Sequence, residues 1–355
     1  MEYAVRQRGY RRWRGLGIAV AAGILWSGCS QSPAVYHLTG PTMGTTYSVK
    51  VLPREEGEDR AAELRKVIED VLARIDIEMS TYRPDSELSR FNNHAEMTPF
   101  PVSPELAGVF AQARKVSEAS GGAFDVTVGP LVDAWGFGPE GFAVQPPSDE
   151  ELAKLHERIG YQKVEIDAEA NTLRKLQPDV ACDLSAIAPG FAADKVLDAI
   201  TALGYTNLMV DVGGEIRAEG RNDRGQPWQI AIEKPLTNER AIERIVSLDG
   251  ISLATSGDYR NYFEQDGVRM SHLIDPRTNK PIAHKLASAS VLHKECALAD
   301  GYATAMMVLG PEEGYEVAVR ENLAVFFIIR DDAGGFVEKA TPEFERLTGK
   351  NTPAS

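Results

Sequence analysis

The sequence predicts an α+β fold, a single domain of mixed and antiparallel sheets with packed helices over residues 36–355. Amphipathic helical runs alternate irregularly with short strand-like runs, unlike the regular succession that builds a parallel sheet. Several of the strand pairs are linked by glycine-containing turns. No GxGxxG follows a strand and no GxxxxGK[ST] occurs, so neither usual nucleotide cradle is present.

The first element is an address. Arg6, Arg8, Arg11, Arg12 and Arg14 precede an apolar run from Leu16 to Trp26, followed by Ser27-Gly28-Cys29. This is the layout of an export signal, and its apolar part is too short to span a bilayer. Small residues before a cysteine resemble the lipobox of bacterial lipoproteins, with Trp26 where leucine is usual. Residues 1–28 are therefore expected to be a lipoprotein signal peptide and Cys29 the lipidated residue. Residues 29–35 would be a lipid-anchored tether on the periplasmic side of a membrane. A simple signal anchor is the alternative.

Glu58–Met79 is the first helix, with Leu64, Val67, Ile68, Val71, Leu72 and Ile75 at three-and-four spacing. Pro104–Ser120 is the second, turning Leu106, Val109, Phe110, Ala113 and Val116 inward and ending at Gly121-Gly122. Pro189 opens the third, which stops at Gly204. Ala297–Leu309 is a fourth, closed by Gly310-Pro311. Strands are expected at Tyr47–Leu52, Leu208–Val212, Trp228–Ile232, Ile245–Ser252 and Leu323–Ile329.

The hydrophobic fraction of 43% and charged fraction of 25% are those of a globular protein with a large core. Residues 1–28 hold five arginines and one glutamate, a net of +4, so without them the net charge falls from −14 to −18. Such a chain repels phosphate backbones, which argues against nucleic acid as a partner. A phosphate-bearing ligand would need a local cation or a helix N-terminus. Beyond Cys29 only Cys182 and Cys296 remain, too few for a cysteine-type zinc site. They are read as two buried thiols, with one disulfide as the alternative.

Polar, glycine-punctuated blocks stand between these elements. They are Met43-Gly44-Thr45-Thr46-Tyr47, the Ser80–Asn92 stretch with Tyr82, and Gly122-Ala123-Phe124-Asp125 leading to Trp135-Gly136-Phe137-Gly138. Asp183-Leu184-Ser185-Ala186-Ile187-Ala188-Pro189-Gly190, Asp211-Val212-Gly213-Gly214 and Ala254-Thr255-Ser256-Gly257-Asp258-Tyr259 follow. Ser271-His272-Leu273-Ile274-Asp275-Pro276-Arg277-Thr278 and Ala299-Asp300-Gly301-Tyr302-Ala303-Thr304 complete the set. Asp300 and Thr304, four apart on a helix, project from one face. A carboxylate with a hydroxyl is hard-oxygen chemistry that suits Mg²⁺, although an ordinary solvated pair has the same spacing. His272 beside Asp275 and Arg277 reads either as a general base or as a structural histidine. No GxSxG accompanies it, so a hydrolase triad is not expected. Tyr82 and Trp135 are either stacking platforms for a flavin or adenine ring, or core aromatics.

Taken in order from Met43 to Leu309, these blocks resemble the ApbE family, the FAD:protein FMN transferases. The resemblance implies a single α+β unit related to the T-fold, binding FAD in a cleft. It implies Mg²⁺ held by the carbonyl of Ala188 and the side chains of Asp300 and Thr304. Flavin dinucleotide contacts are implied at Met43, Tyr82, Ala123, Phe124, Asp125, Ser185, Phe191 and Ile274, and a catalytic role for His272. Three positions depart from the family pattern: Pro189 stands where many members have lysine, Phe191 where tyrosine is commoner, and Asn279 where glycine is usual. The implied activity is Mg²⁺-dependent transfer of FMN from FAD to a Thr or Ser of an exported flavoprotein, such as a subunit of a membrane redox complex. Alternatives are an FAD pyrophosphatase giving FMN and AMP, and a non-catalytic flavin-binding lipoprotein.

Overall fold

Eight strands form one antiparallel sheet whose spatial order follows the chain: β1 (Tyr36–Thr42), β2 (Thr45–Val51), β3 (Leu208–Val212), β4 (Glu215–Glu219), β5 (Ile251–Gly257), β6 (Leu286–His293), β7 (Ala324–Arg330) and β8 (Phe336–Ala340). The structure is a computed structural model describing residues 35–55, 57–137, 146–236, 241–258, 262–265 and 268–349. The expected signal peptide and Cys29 lie outside the described residues, as do Gly138 and Tyr259. The sheet is thus a meander in which some hairpin turns stay short, at Met43-Gly44 and Gly213-Gly214, while other connections have become long insertions. That is why helices and strands alternate irregularly in the sequence.

The insertion between β2 and β3 carries α1 (Ala61–Met79), α2 (Glu87–Asn93), α3 (Pro104–Ala119), α4 (Gly129–Ala134), α5 (Asp149–His156) and α6 (Ala188–Ala202). The one between β6 and β7 carries α7 (Cys296–Arg320), and α8 (Pro342–Thr348) follows β8. The main core joins the apolar stripes of α1, α3 and α6 to α7 and one face of the sheet. A hairpin of Trp228–Glu233 with Ile242–Leu248 covers the other face together with α8. Strand β7 shows the consequence, since Val325 and Phe327 enter the first core while Phe326 and Ile328 enter the second. A strand covered on both faces reads as a continuous apolar run.

Three expectations need correction. The first helix begins at Ala61, not Glu58, because the Glu58 carboxylate holds Arg54 and the Tyr205 hydroxyl in the preceding loop. The run Ile245–Ser252 is two strands, broken at Asp249-Gly250, where Gly250 takes a φ of 68°. The fourth helix does not end at Gly310-Pro311. Gly310 breaks it at φ 82°, ψ −177°, and the helix resumes to Arg320, with Pro311 in the position where proline opens a helix well. Both remaining cysteines are buried free thiols, as read from the sequence.

Candidate active site

The first half of α7 is buried on all sides, between the sheet and the helices α3 and α6. Its small residues Ala297, Ala299, Gly301, Ala303 and Ala305 permit that close packing. Asp300 is therefore a carboxylate in a nearly water-free place, 5% exposed. Burial pushes its pKa up to about 7, and a hydrogen bond from the Gly190 N–H works in the opposite direction. That N–H donates to Asp300 Oδ2 at 3.0 Å. One turn along α7, Thr304 Oγ1 lies 3.1 Å from the Ser256 hydroxyl at the end of β5. Ala188 opens α6, with its own N–H on the Leu184 carbonyl at 2.8 Å.

The structure therefore sets the first turn of α6, which Ala188 opens, against Asp300 of α7, with Thr304 one turn further along the same helix; these are the three residues implied as metal ligands. The donor set of carbonyl, carboxylate and hydroxyl oxygens fits a hard divalent cation that keeps places for water and phosphate. Among the described residues no cluster of three or more His, Cys, Asp or Glu competes for a softer metal. Gly190, Ser256 and the partners of α7's first N–H groups are additions that the sequence reading did not single out. A glycine in the first turn of a helix was the one visible hint, since it marks a close approach.

The Ala123–Asp125 strip and the Ser185 turn meet through the Asp183 N–H, which donates to the Val126 carbonyl at 2.7 Å. Ala123 and Phe124 are buried, and Ser185 is exposed. The Asp125 carboxylate organises its own loop. Oδ1 accepts from the Thr127 N–H and hydroxyl at 2.8 and 2.6 Å, and Oδ2 from the Tyr161 N–H at 2.7 Å. Asn92 ties the Ser80–Asn92 block to this region by a two-way amide contact with the Cys182 backbone, both bonds at 2.8 Å. The ring of Phe191 lies under Lys195 Nζ, 5.1 Å from its centroid, and lines a groove with Glu105, Gln112 and Lys115 of α3.

His272 belongs to a second grouping. Its half-buried ring meets Phe137 edge-on at 6.3 Å. Ile274 enters a satellite core with Leu131, Trp135, Leu152 and Ile159. Trp135 is thus a core aromatic, and its indole N–H donates to the Asn279 carbonyl at 2.9 Å. Asn279 adopts φ 64°, a left-handed turn conformation that asparagine and glycine tolerate. Its side chain also reaches His156 Nδ1 at 2.8 Å, a contact glycine cannot make. Arg277 bonds Asp275 and reaches Glu313 on the far half of α7 at 2.7 Å, which braces this loop on the same helix that carries Asp300. Met43 sits at φ 43° in the β1–β2 turn, and Tyr82 is 72% exposed after α1. Neither touches the Asp300 grouping through a described hydrogen bond.

The ApbE family model matches residues 43–327, an interval that contains every one of these blocks. The chain belongs to the ApbE family. A Haemophilus influenzae relative named FAD:protein FMN transferase is 46% identical over 335 residues, 93% of this chain and 96% of that protein. The solved structure of the flavin transferase ApbE from Vibrio cholerae has a TM-score of 0.81 at 44% identity, covering 88% of this chain and 99% of that one. The apo form of Pseudomonas stutzeri flavinyl transferase ApbE has a TM-score of 0.82 at 41% identity, covering 90% and 98%. The α+β architecture with its antiparallel sheet is that of these ApbE structures.

Proposed function

We propose that this ApbE-family chain transfers the FMN moiety of FAD to a Thr or Ser hydroxyl of an exported flavoprotein, with Mg²⁺ at Ala188, Asp300 and Thr304. The observation that carries the reading is the contact of the first turn of α6 with Asp300, one helical turn from Thr304, inside a chain matched by the family over residues 43–327. Full-length relatives named FAD:protein FMN transferase support it.

In the reaction the acceptor oxygen attacks the phosphorus of the FMN half, the bond to the AMP half breaks, and AMP leaves. A cation held by Ala188, Asp300 and Thr304 would supply charge neutralisation on the diphosphate. The N-terminus of α6 offers its dipole to the same anion, local help that an acidic chain needs. Gly190 orients the Asp300 carboxylate, and Ser256 orients the Thr304 hydroxyl. His272, in its loop braced by Arg277, accepts the proton of the attacking hydroxyl. The residues implied for the flavin dinucleotide, Met43, Tyr82, Ala123–Asp125, Ser185, Phe191 and Ile274, bind and orient it.

Incubation with FAD, Mg²⁺ and an acceptor bearing the Asp-x-x-(Ser/Thr)-Gly-Ala-(Ser/Thr) segment that the family resemblance implies for acceptors tests the reading. Covalent flavin fluorescence on the acceptor with release of AMP is expected. Free FMN and AMP without labelling would favour the pyrophosphatase, and FAD recovered intact would sink both. Asp300→Ala is expected to remain folded and lose the Mg²⁺-dependent reaction; full activity would remove the metal assignment. We also propose that acylated Cys29 holds the enzyme at the membrane on the exported side. Cell fractionation of Cys29→Ser checks this: the variant should leave the membrane-bound fraction, and unchanged partitioning would exclude the anchor.

A further inference from the structure

Helix α7 has no cap of its own. Glu295, at its N-cap position, makes no side-chain capping bond, yet the first N–H groups of a buried helix need acceptors. They find them on the neighbouring helix. Asp194 of α6 accepts from the Cys296 N–H at Oδ1 and from the Ala297 N–H at Oδ2, both at 3.0 Å. Arg217 of β4 donates to the same Oδ1 at 2.8 Å and also bonds the Lys294 carbonyl just before the helix. The carboxylate and the guanidinium are 13% and 18% exposed, so water competes little for these bonds.

Asp194 is four residues after Gly190, on the same face of α6. The two contacts therefore form a reciprocal clasp. At Gly190 a backbone donor of α6 meets a carboxylate of α7, and at Asp194 a carboxylate of α6 meets backbone donors of α7. Two points of attachment fix both the slide and the roll of one helix on the other, which a single contact does not. Ala188 lies two residues before the first point, Asp300 is part of it, and Thr304 lies one turn further along α7, so their spacing follows how the two helices are held.

We infer that Asp194, backed by Arg217, is a positioning residue that sets the spacing of the metal ligands. The inference rests on the metal reading above. Asp194→Asn keeps the shape but leaves one acceptor oxygen for two N–H groups. Groups that orient metal ligands change metal affinity by about 10- to 100-fold when removed.

The experiment follows the thermal midpoint of the full chain against MgCl₂, with and without FAD, alongside the Mg²⁺ concentration for half-maximal FMN transfer. The wild type should be stabilised by Mg²⁺, and Asp194→Asn should need about tenfold more Mg²⁺ in both measurements. A variant that melts earlier without metal but keeps the wild-type half-saturation would make Asp194 purely structural and overturn the inference alone. A wild type indifferent to Mg²⁺ would overturn both the inference and the metal reading. If Asp194→Asn does not fold, Arg217→Met decides, since it removes the guanidinium that holds the Asp194 carboxylate against the two N–H groups. A raised Mg²⁺ requirement there supports the clasp, and an unchanged one overturns it.

Discussion

At Gly190 a hydrogen atom occupies space that no side chain can enter. A methyl group there would lie 2.4 Å from the Cys296 carbonyl oxygen and 2.8 Å from Asp300 Cβ. Gly190→Ala must therefore part α6 from α7 or twist one of them, at a cost of about 1–3 kcal/mol. A lowered melting temperature together with a raised Mg²⁺ requirement is expected. A variant with wild-type values in both would show that the helices tolerate separation. The sequence displayed Asp300 and Thr304 because helical spacing and block order are local patterns. It did not display the roles of Asp194, Arg217 or Ser256, because their partners, Cys296 and Ala297, Asp194 and Lys294, and Thr304, lie far along the chain with no periodicity to announce them. Trp135 shows the same limit from the other side, since only packing distinguishes a stacking platform from a core aromatic.

Helix α7 is the element on which the two groupings of the site meet, and its break has a specific remedy. Pro311 has no N–H, so the carbonyl of Met307 loses the partner that a continuous helix would supply. His284 Nε2 takes that place at 2.8 Å, while Nδ1 accepts from the Leu286 N–H at 3.3 Å. The ring is thus neutral with its proton on Nε2, and burial holds its pKa below the ordinary 6.5. The unfolded chain binds a proton first as pH falls, so this contribution is complete above pH 6.5 and is lost as pH falls toward the folded-state value. His284→Ala should lose about 1–3 kcal/mol near pH 8 by leaving the carbonyl unpaired. The difference between wild type and variant, read from denaturant unfolding, should shrink below pH 6. A gap that widens on acidification would contradict the assignment. A stop at Gly310-Pro311 was a fair reading of the sequence, because breaking a helix and restarting one call for the same two residues.

Over the whole molecule the acidic composition reappears as internal strain between charges. Glu78, 9% exposed near the end of α1, faces Glu105 and Glu87 against Arg74 and Lys195. Burial, with Glu105 second, pushes its pKa from 4.5 to about 7. Since the unfolded chain releases this proton first, its contribution to stability is full below pH 4.5 and is lost as pH rises through 7. Glu78→Gln should therefore melt higher than the wild type at pH 8 and alike at pH 4. Equal melting at both would show that water reaches the carboxylate. At this scale the fold class was legible, because periodicity marks buried faces wherever they are long. The meander itself was not, since strand adjacency is carried by pairings such as Val51 with Leu208 that composition does not encode. That pairing has a consequence in polymer terms. The chain between its partners is one closed loop containing α1 to α6, and closing it costs entropy that grows only slowly, as the logarithm of loop length. The sheet therefore admits a large helical insertion at small thermodynamic expense, and the delay falls on time instead. Ala188 and Asp300 become neighbours only after contacts of high sequence separation have formed, the kind that slow folding most.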